Sequence, residues 1–447
     1  MSPSDSSRTP PCLDKTESGL SEAPSSSGKN PFSFGRRQRH FKVMATSSFL
    51  LFFLLAVVAT ASDFFGNVLN EFGTRSGLEQ LSVNPNVMNY TATHFTQYGA
   101  QGVQIKYGPF LTYSATNNSG MIDYTQTTIL MPCNDCLITF MQAGLEYPNG
   151  TYANTDTGMM LHHVVLTENG GRDSTCPKLP SRMFASGNER TPIDLTVNGS
   201  SKTGYYVSAN ASMGIVAELM NENDDNRYVT VTINFEYIPG IPNGFTQLHS
   251  WWLDVTGPCG DSDEPVPANE VVFNYTTPSP YTAVYNGSVL GMSGHLHDGG
   301  VLLTVSENNR VICNVKPTYG ATAGYIDGSP MMNMPMGNMP MDMTHLSNMS
   351  TCVYPGNFVI GDSFSISAYY NSSEYPLMLD ASGQPEPVMG ISIMYVTNGT
   401  HVPSGSTTSG SGSTSTSSSS PNGASVPHVN ALTLVIAGLC ALVLMAC

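Results

Sequence analysis

The sequence predicts an all-β protein made of two tandem jelly-roll-like antiparallel β-sandwich domains. Between residues 98 and 398, alternating or β-branched runs recur along the chain, and clusters of Gly, Asn, Pro and Ser separate them. No window of adequate length has a helical hydrophobic period. Many short strands with such turns between them are typical of sandwiches and jelly rolls.

A Pro-rich stretch at 258–267 divides this region into a first domain at 98–257 and a second at 262–398. Each half carries one pair of closely spaced histidines. The predicted strands are Val103–Tyr107, Ile129–Met131, Cys136–Met141, Leu161–Leu166, Tyr228–Phe235, Val271–Asn274, Val301–Val305, Phe358–Tyr369 and Ile391–Val396.

The N-terminal end has the pattern of a secretory leader. Residues 1–43 are rich in Ser, Pro and Gly and predict disorder or an over-extended start, with a basic stretch at their end. An apolar run and a small-residue cleavage site predict a signal peptide at 44–61, with an uncleaved signal anchor as the alternative. A segment at 62–97 then leads into the first domain.

The C-terminal end has the pattern of a membrane-anchor signal. A Ser/Thr-rich stalk covers 399–422, and small residues and an apolar tail follow at 423–447. This order predicts a glycosylphosphatidylinositol (GPI) anchor attached at Asn422 or at a Ser near 418, with a plain membrane helix as the alternative. The expected location is therefore the secretory pathway and the extracellular face of a membrane.

Composition excludes one class of partner. Charged residues make up 11% of the chain and the formal net charge is −16, so nucleic acid is not an expected partner. Solubility then depends on neutral polar groups and on glycans. Glycosylation sequons are spread over the central region, at Asn89, Asn117, Asn149, Asn198, Asn210, Asn274, Asn286, Asn348, Asn371 and Asn398.

Six cysteines lie between the two end signals, and an even number in an oxidising compartment predicts three disulfides. They are Cys133, Cys136, Cys176, Cys259, Cys313 and Cys352. We expect Cys313 to pair with Cys352 and the other four to pair among themselves. The CxxC at 133–136 has no second CxxC, which favours a structural disulfide over a zinc or redox role.

The stretch Gly294-His295-Leu296-His297 leads directly into an apolar β-branched run. Side chains at i and i+2 of a strand point to one face, so both imidazoles can reach one metal ion. Two satisfied surface histidines are the alternative. A second pair, His162-His163, lies in the first half.

The segment 331–349 interrupts the β pattern. It holds eight methionines, and Asn-Met-Pro-Met occurs twice. Thioethers are soft ligands that select Cu(I), so the segment predicts copper capture. A low-complexity insert is the alternative.

Taken in order, these motifs resemble the copper type II, ascorbate-dependent monooxygenases, the family of peptidylglycine α-hydroxylating monooxygenase and dopamine β-monooxygenase. Leu161–Leu166 is similar to the family's His-His strand, and residues 294–297 are similar to its His-x-His motif. The run 358–367 is similar to its Gly-Asp segment. The run 387–396 is similar to the segment that supplies a methionine ligand.

The resemblance implies one copper on each domain, facing each other across a cleft. The O₂-activating copper would be held by His295, His297 and Met389, and these would be the catalytic residues. Met394 is the second choice for the methionine.

An electron-transfer copper would be held by His162, His163 and a third histidine. The family's third histidine corresponds to Asn234 here, and His249, fifteen residues later, is the nearest candidate.

The implied activity is hydroxylation of a C–H bond of a small-molecule or peptide substrate. It would use O₂, one or two copper ions and ascorbate as reductant. The first alternative is a non-catalytic, GPI-anchored copper-binding surface glycoprotein. A surface adhesion module with relict metal motifs is another hypothesis. A cupin-like site is the last, although no glutamate follows His297 at the spacing that cupins need.

Overall fold

A computed structural model describes residues 86–117, 120–327, 343–380 and 383–399 of the chain. All of them belong to one compact unit, Asn67–Cys447. The expected signal peptide, stalk and anchor signal, and most of the methionine-rich segment, lie outside the described residues. The described residues include no helix long and apolar enough to span a membrane.

The described chain consists of strands joined by turns, with single 3₁₀ turns at Thr96–Tyr98, Thr155–Thr157 and Ala323–Tyr325. The first eleven strands are β1 (Asn86–Tyr90), β2 (Gln101–Thr112), β3 (Met121–Ile129), β4 (Cys136–Glu146), β5 (Met159–Arg172), β6 (Pro180–Gly187), β7 (Ile193–Asp194), β8 (Thr203–Val207), β9 (Met213–Asn221), β10 (Arg227–Pro239) and β11 (Thr246–Asp254).

Twelve further strands follow the Pro-rich stretch. They are β12 (Val272–Thr276), β13 (Tyr281–Thr282), β14 (Gly287–Leu296), β15 (Gly300–Glu307), β16 (Arg310–Val315), β17 (Pro317–Tyr319), β18 (Ile326–Asp327), β19 (Met343–Thr344), β20 (Leu346–Met349), β21 (Cys352–Phe358), β22 (Ser363–Asn371) and β23 (Gly390–Asn398). The predicted all-β, largely antiparallel fold is confirmed.

Three sheets form the body of the molecule. A ten-stranded sheet has the order β1-β2-β10-β4-β8-β11-β23-β14-β21, with β7 beside β4. A four-stranded sheet, β3-β9-β5-β6, and a five-stranded sheet, β12-β22-β15-β16 with β13 beside β22, complete the body. Two small ribbons, β17-β20 and β18-β19, pair the last residues of the methionine-rich segment with strands that precede it.

Strand β11 contributes to both hydrophobic cores. Its Leu248 and Trp252 lie in a first core with residues of the four-stranded sheet, whereas Trp251 and Leu253 lie in a second core with residues of the five-stranded sheet. Successive side chains of a strand point to opposite faces, so β11 is apolar on both sides. Both sandwiches therefore use the ten-stranded sheet, and strands from both sides of the Pro-rich stretch run through it.

Three disulfides are formed within the described residues. Cys313 pairs with Cys352, as expected, and the remaining pairs are Cys133–Cys136 and Cys176–Cys259. The CxxC is therefore a disulfide. The Cys176–Cys259 bridge joins the connection between β5 and β6 to the Pro-rich stretch after β11.

Beside that bridge, Asp173 and Arg182 form a buried ion pair. Arg182 Nε donates to Asp173 Oδ2 at 2.8 Å and Nη2 donates to Oδ1 at 3.0 Å, and both side chains are at most 3% exposed. The guanidinium lies 4.5 Å from the Trp252 ring centroid and donates to the Pro258 carbonyl at 3.2 Å. Arg182 thus connects the four-stranded sheet to β11 and to the Pro-rich stretch.

Candidate metal centre

A β-bulge in β5 places two consecutive histidines on the same face of the four-stranded sheet. Leu161 is opposite Leu219 and His163 is opposite Glu218 on β9, so His162 is the extra residue. Leu161 and Val164 both lie in the first core. Without the extra residue, neighbouring histidines would point to opposite faces.

The second pair comes from the end of β14, as the i, i+2 spacing predicts. His295 is opposite Ile391 on β23, and His297 follows the last residue of the strand. Leu296, between them, is buried in the second core. The two imidazoles therefore point away from that core and toward β5.

His163 meets the second pair directly. Its Nε2 lies 3.1 Å from His295 Nε2 and 3.0 Å from His297 Nε2. We expected the two pairs in separate copper sites across a cleft, but the structure gathers their side chains into one cluster. We call His162, His163, His295 and His297 the histidine centre.

The other ring nitrogens of three of these histidines each face a fixed acceptor. His163 Nδ1 donates to Glu218 Oε2 at 2.6 Å, and His295 Nδ1 lies 3.2 Å from Glu189 Oε2. His297 Nδ1 donates to the Pro387 carbonyl at 2.7 Å. An imidazole that donates from Nδ1 keeps a lone pair on Nε2, and metal-binding histidines are commonly oriented in this way.

The charge states agree with this arrangement. Burial, together with the neighbouring His162, lowers the pKa of His163 to about 4. Burial also holds the pKa of His297 well below its usual value. Both rings are therefore neutral at pH 7, as metal ligation requires.

These residues fit a metal ion. The lone pair on His163 Nε2 lies beside those of His295 Nε2 and His297 Nε2, an arrangement that a cation between them would stabilise. Two imidazole nitrogens bound to one ion at ~2 Å lie about 3 Å apart, which matches the spacing around His163. Imidazole ligands suit copper, among other metals.

His162 has different surroundings. Its Nδ1 lies 3.1 Å from Glu218 Oε2 and its Nε2 lies 3.6 Å from Glu386 Oε2, at ion-pair distance without hydrogen-bond geometry. Burial lowers its pKa, but the two carboxylates outweigh burial and raise the pKa well above its usual value. Ligand atoms of His162, His163 and His297 lie within 4.8 Å of one another, so His162 also reaches the centre.

The histidine centre opens into a cavity of about 1080 Å³ that strands of both halves line. Its lining includes Glu189, Glu218 and Glu386 beside the histidines, and Asp123, Asp261, Asp263 and Asp380 further away. The cations in this lining are Arg182, which is paired with Asp173, and His162, whose pKa is raised. Seven carboxylates outnumber these two cations and give the cavity a negative potential.

Met389, predicted as a ligand, lines the same cavity. The Tyr370 hydroxyl donates to the Met389 carbonyl and accepts from the His297 backbone N–H at 3.2 Å, so it ties the two segments together. Met394, the second choice, is fully buried in the second core and is absent from the cavity lining.

The residues considered as a third histidine ligand lie elsewhere. His249, on β11, lines a separate small cavity with Glu168 and Tyr205. Asn234 accepts a hydrogen bond from Gln104 Nε2 at 3.0 Å in the ten-stranded sheet. The structure therefore does not bring His249 to the histidine pair that it was expected to complete.

Glu218 and Glu189 are two side chains of the site that no sequence motif indicated. Glu218 is an isolated charge within the otherwise apolar strand Met213–Asn221, and this signal was available in the sequence. Glu189 follows β6 in a turn that looks polar, and only the fold reveals that it is 5% exposed. Neither carboxylate is near a histidine in sequence, so no local motif predicts that Glu218 contacts His163 or that Glu189 contacts His295.

Gly187 is required by the close approach of His295. A Cβ at this position would lie 2.6 Å from His295 Cε1 and 2.7 Å from Glu189 Oε2. We expect Gly187→Ala to displace the His295 ring and weaken copper binding about tenfold or more, as disturbance of a ligand's hydrogen-bond partner does. Competition with a copper chelator measures this, with Ser186→Ala as the control. Equal affinities for Gly187→Ala and wild type would contradict the prediction.

Fold and centre together define an all-β protein with a buried centre of imidazoles that fits a redox metal. "Probable copper-dependent oxygenase M1" of Phoma sp. is 34% identical over 299 residues, which cover 66% of this chain and 72% of that protein. "Probable copper-dependent oxygenase clz3" of Cochliobolus lunatus is 35% identical over 262 residues, 58% of this chain and 79% of that protein. The chain belongs to the family of these probable copper-dependent oxygenases.

No protein-family model matches the chain. Among solved structures, PNGase F of Flavobacterium meningosepticum has a TM-score of 0.32 at 13% identity, covering 68% of this chain and 98% of its own. PNGF-II has a TM-score of 0.30 at 10% identity, covering 69% of this chain and 65% of its own. At these TM-scores the similarity carries no conclusion.

Proposed function

We propose that the protein is a copper-dependent monooxygenase whose ion is held by His163, His295 and His297. The proposal depends above all on the position of His163 Nε2, which lies 3.1 Å from His295 Nε2 and 3.0 Å from His297 Nε2. The reaction would convert a C–H bond and O₂ into a hydroxylated product and water. It consumes two protons and two electrons, and ascorbate would supply the electrons.

Bound copper would supply the redox chemistry for O₂, and the chain would supply its surroundings. Glu218 and Glu189 hold His163 and His295 in place through Nδ1, and the Pro387 carbonyl does the same for His297. The cavity of about 1080 Å³ has room for a small molecule or a peptide segment. Its carboxylates favour neutral or cationic substrates over anionic ones.

Oxygen consumption tests the proposal. The protein is loaded with Cu(II), freed of excess metal by gel filtration, and mixed with ascorbate in an oxygen electrode. We expect ascorbate-dependent O₂ uptake by the wild type and by His249→Ala, and its loss in His295→Ala. Uptake that is equal in His295→Ala and the wild type would overturn the proposal.

One observation favours the second candidate, a non-catalytic copper-binding glycoprotein. Both histidine pairs share one centre, and within the described ranges no second group of three His, Cys, Asp or Glu side chains with metal-ligand spacing was found. Among the described His, Cys, Asp and Glu side chains, an electron-transfer copper like that of the resembling family therefore has no second ligand group. This candidate predicts retained copper with no O₂ uptake above that of His295→Ala.

We further propose that the protein is a glycosylated, GPI-anchored surface protein. Nine of the ten sequon asparagines are exposed, Asn371 being the partly buried one, and the three disulfides suit an oxidising compartment. Release of the protein from intact cells by a phosphatidylinositol-specific phospholipase tests the anchor. A protein that stays on the membrane after this treatment would contradict it.

Glu218 is expected to tune copper affinity without binding the ion. Glu218→Gln replaces the charged acceptor of His163 Nδ1 by a neutral amide, and we expect copper affinity to fall ~10–100-fold. The matched control is Glu386→Gln, because Glu386 approaches His162 and none of the three proposed ligands. An equal loss in both variants would show that His162 is itself a ligand.

A further inference from the structure

Four methionines cluster beside the histidine centre. Met160, Met220 and Met378 form a small buried cluster separate from both large cores, and Met121 packs against it. Met160 is 2% exposed, and Met220 and Met378 are each 8% exposed. All four lie outside the methionine-rich segment that the sequence singled out.

Three of these methionines form one row across the four-stranded sheet. On β9, Met220 is directly opposite Met121 of β3 on one side and Met160 of β5 on the other. Directly opposite residues share a face, and their Cβ atoms lie about 5 Å apart. The row therefore brings three thioethers together on the face away from the first core, and Met378 covers them.

The next row of side chains on that face includes His163 of the histidine centre. Glu218 is opposite Asp123 on β3 and opposite His163 on β5. Two residues along a strand span about 7 Å, so the thioether row lies one side-chain spacing from a proposed copper ligand. Met121 and Asp123 both line the cavity that holds the histidine centre.

We propose that Met121, Met160, Met220 and Met378 form a second metal site, specific for Cu(I), beside the histidine centre. Thioethers are soft, neutral ligands that select Cu(I) over harder divalent ions. The negative potential of the cavity attracts the cation, and Met121 gives it an entry from the cavity to the buried sulfurs. The site holds reduced copper within reach of His163.

Packing alone is the competing explanation, since methionine fills irregular gaps in cores. Leucine separates the two explanations, because it has nearly the same volume and no sulfur. The test variant is Met160→Leu/Met220→Leu/Met378→Leu. The matched control is Met159→Leu/Met183→Leu/Met213→Leu, which changes three fully buried methionines of the first core.

Cu(I) binding is measured anaerobically by competition with bicinchoninate, and the ligand atoms are identified by copper K-edge X-ray absorption. All proteins carry leucine in place of the seven methionines at 331–343, so that this segment does not contribute. We expect the control to keep a Cu(I) equivalent with copper–sulfur scattering. The test variant should lose that equivalent and the scattering.

Equal Cu(I) binding and equal sulfur scattering in the test variant and the control would overturn the proposal. If the triple variant does not fold, Met220→Leu alone, in the middle of the row, should weaken the sulfur-bound Cu(I) about tenfold or more. Unchanged affinity in that variant would equally overturn it. The His163→Ala background separates this site from the proposed oxygenase, because it removes imidazole-bound copper and leaves the thioethers intact.

Discussion

His163→Ala is expected to abolish retention of Cu(II). Among the histidines that the structure describes, His163 is the one whose Nε2 lies within about 3.1 Å of both His295 Nε2 and His297 Nε2. Its removal takes away a proposed ligand and leaves Glu218 without its 2.6 Å partner. The loss of affinity should exceed the ~10–100-fold that follows from removing a partner of a ligand.

The measurement is copper per protein by elemental mass spectrometry after loading and gel filtration. We expect one Cu(II) in the wild type and none in His163→Ala or His295→Ala. His249→Ala is the matched control, because His249 lies in a separate cavity, and it should retain the ion. Two Cu(II) ions in the wild type, one of them lost with His249→Ala, would contradict the single centre and support two separate sites.

His162→Ala decides the role of the fourth histidine. If His162 only lies between Glu218 and Glu386, the variant should keep its copper with a modest change in affinity. Loss of copper equal to that of His163→Ala would make His162 a ligand.

The sequence predicted features that depend on local pattern. Strand periodicity and turn residues predicted the all-β fold, and the i, i+2 spacing of His295 and His297 predicted a shared direction. Both depend on the alternation of side chains along a strand, which follows from backbone geometry alone.

The joining of the two histidine pairs depends on long-range register. His163 reaches His295 because β5 bulges at His162 and because β14 lies beside β23 in the ten-stranded sheet. A one-residue slip would point His163 into the first core. Neither the bulge nor the pairing of distant strands has a sequence motif of its own.

Resemblance to a known family supplied the choice of copper, and it also supplied the expectation of two centres. The relatives named as probable copper-dependent oxygenases agree with the choice of copper. The position of His249 in another cavity does not agree with the expectation of two copper centres. A family resemblance therefore predicts the identity of the metal better than it predicts the full set of ligands, because each ligand position depends on the register of its own strand.

Asp173→Asn is expected to destabilise the fold by about 3–5 kcal/mol at pH 7, the cost of leaving a buried charge unpaired. Arg182 would keep its charge at 3% exposure and lose both ionic hydrogen bonds. The Asp173 carboxylate also accepts from the Cys176 backbone N–H at 2.8 Å, beside the Cys176–Cys259 bridge. Asp225→Asn is the control, because the Asp225–Arg227 pair is exposed and should contribute at most about 1 kcal/mol.

The pH dependence of this difference identifies its electrostatic origin. Burial alone would raise the pKa of Asp173, but Arg182 and the hydrogen bonds outweigh it and hold the pKa below its usual value. A lowered pKa means that the carboxylate stabilises the fold at pH values above its ordinary pKa of about 4, and that this contribution is lost as the pH falls below it. Urea unfolding from pH 7 to pH 3 should therefore show the gap between wild type and Asp173→Asn narrowing with acid. A gap that stays constant would mean that Asp173 acts through packing and neutral hydrogen bonds, which an asparagine also disturbs, and not through its charge.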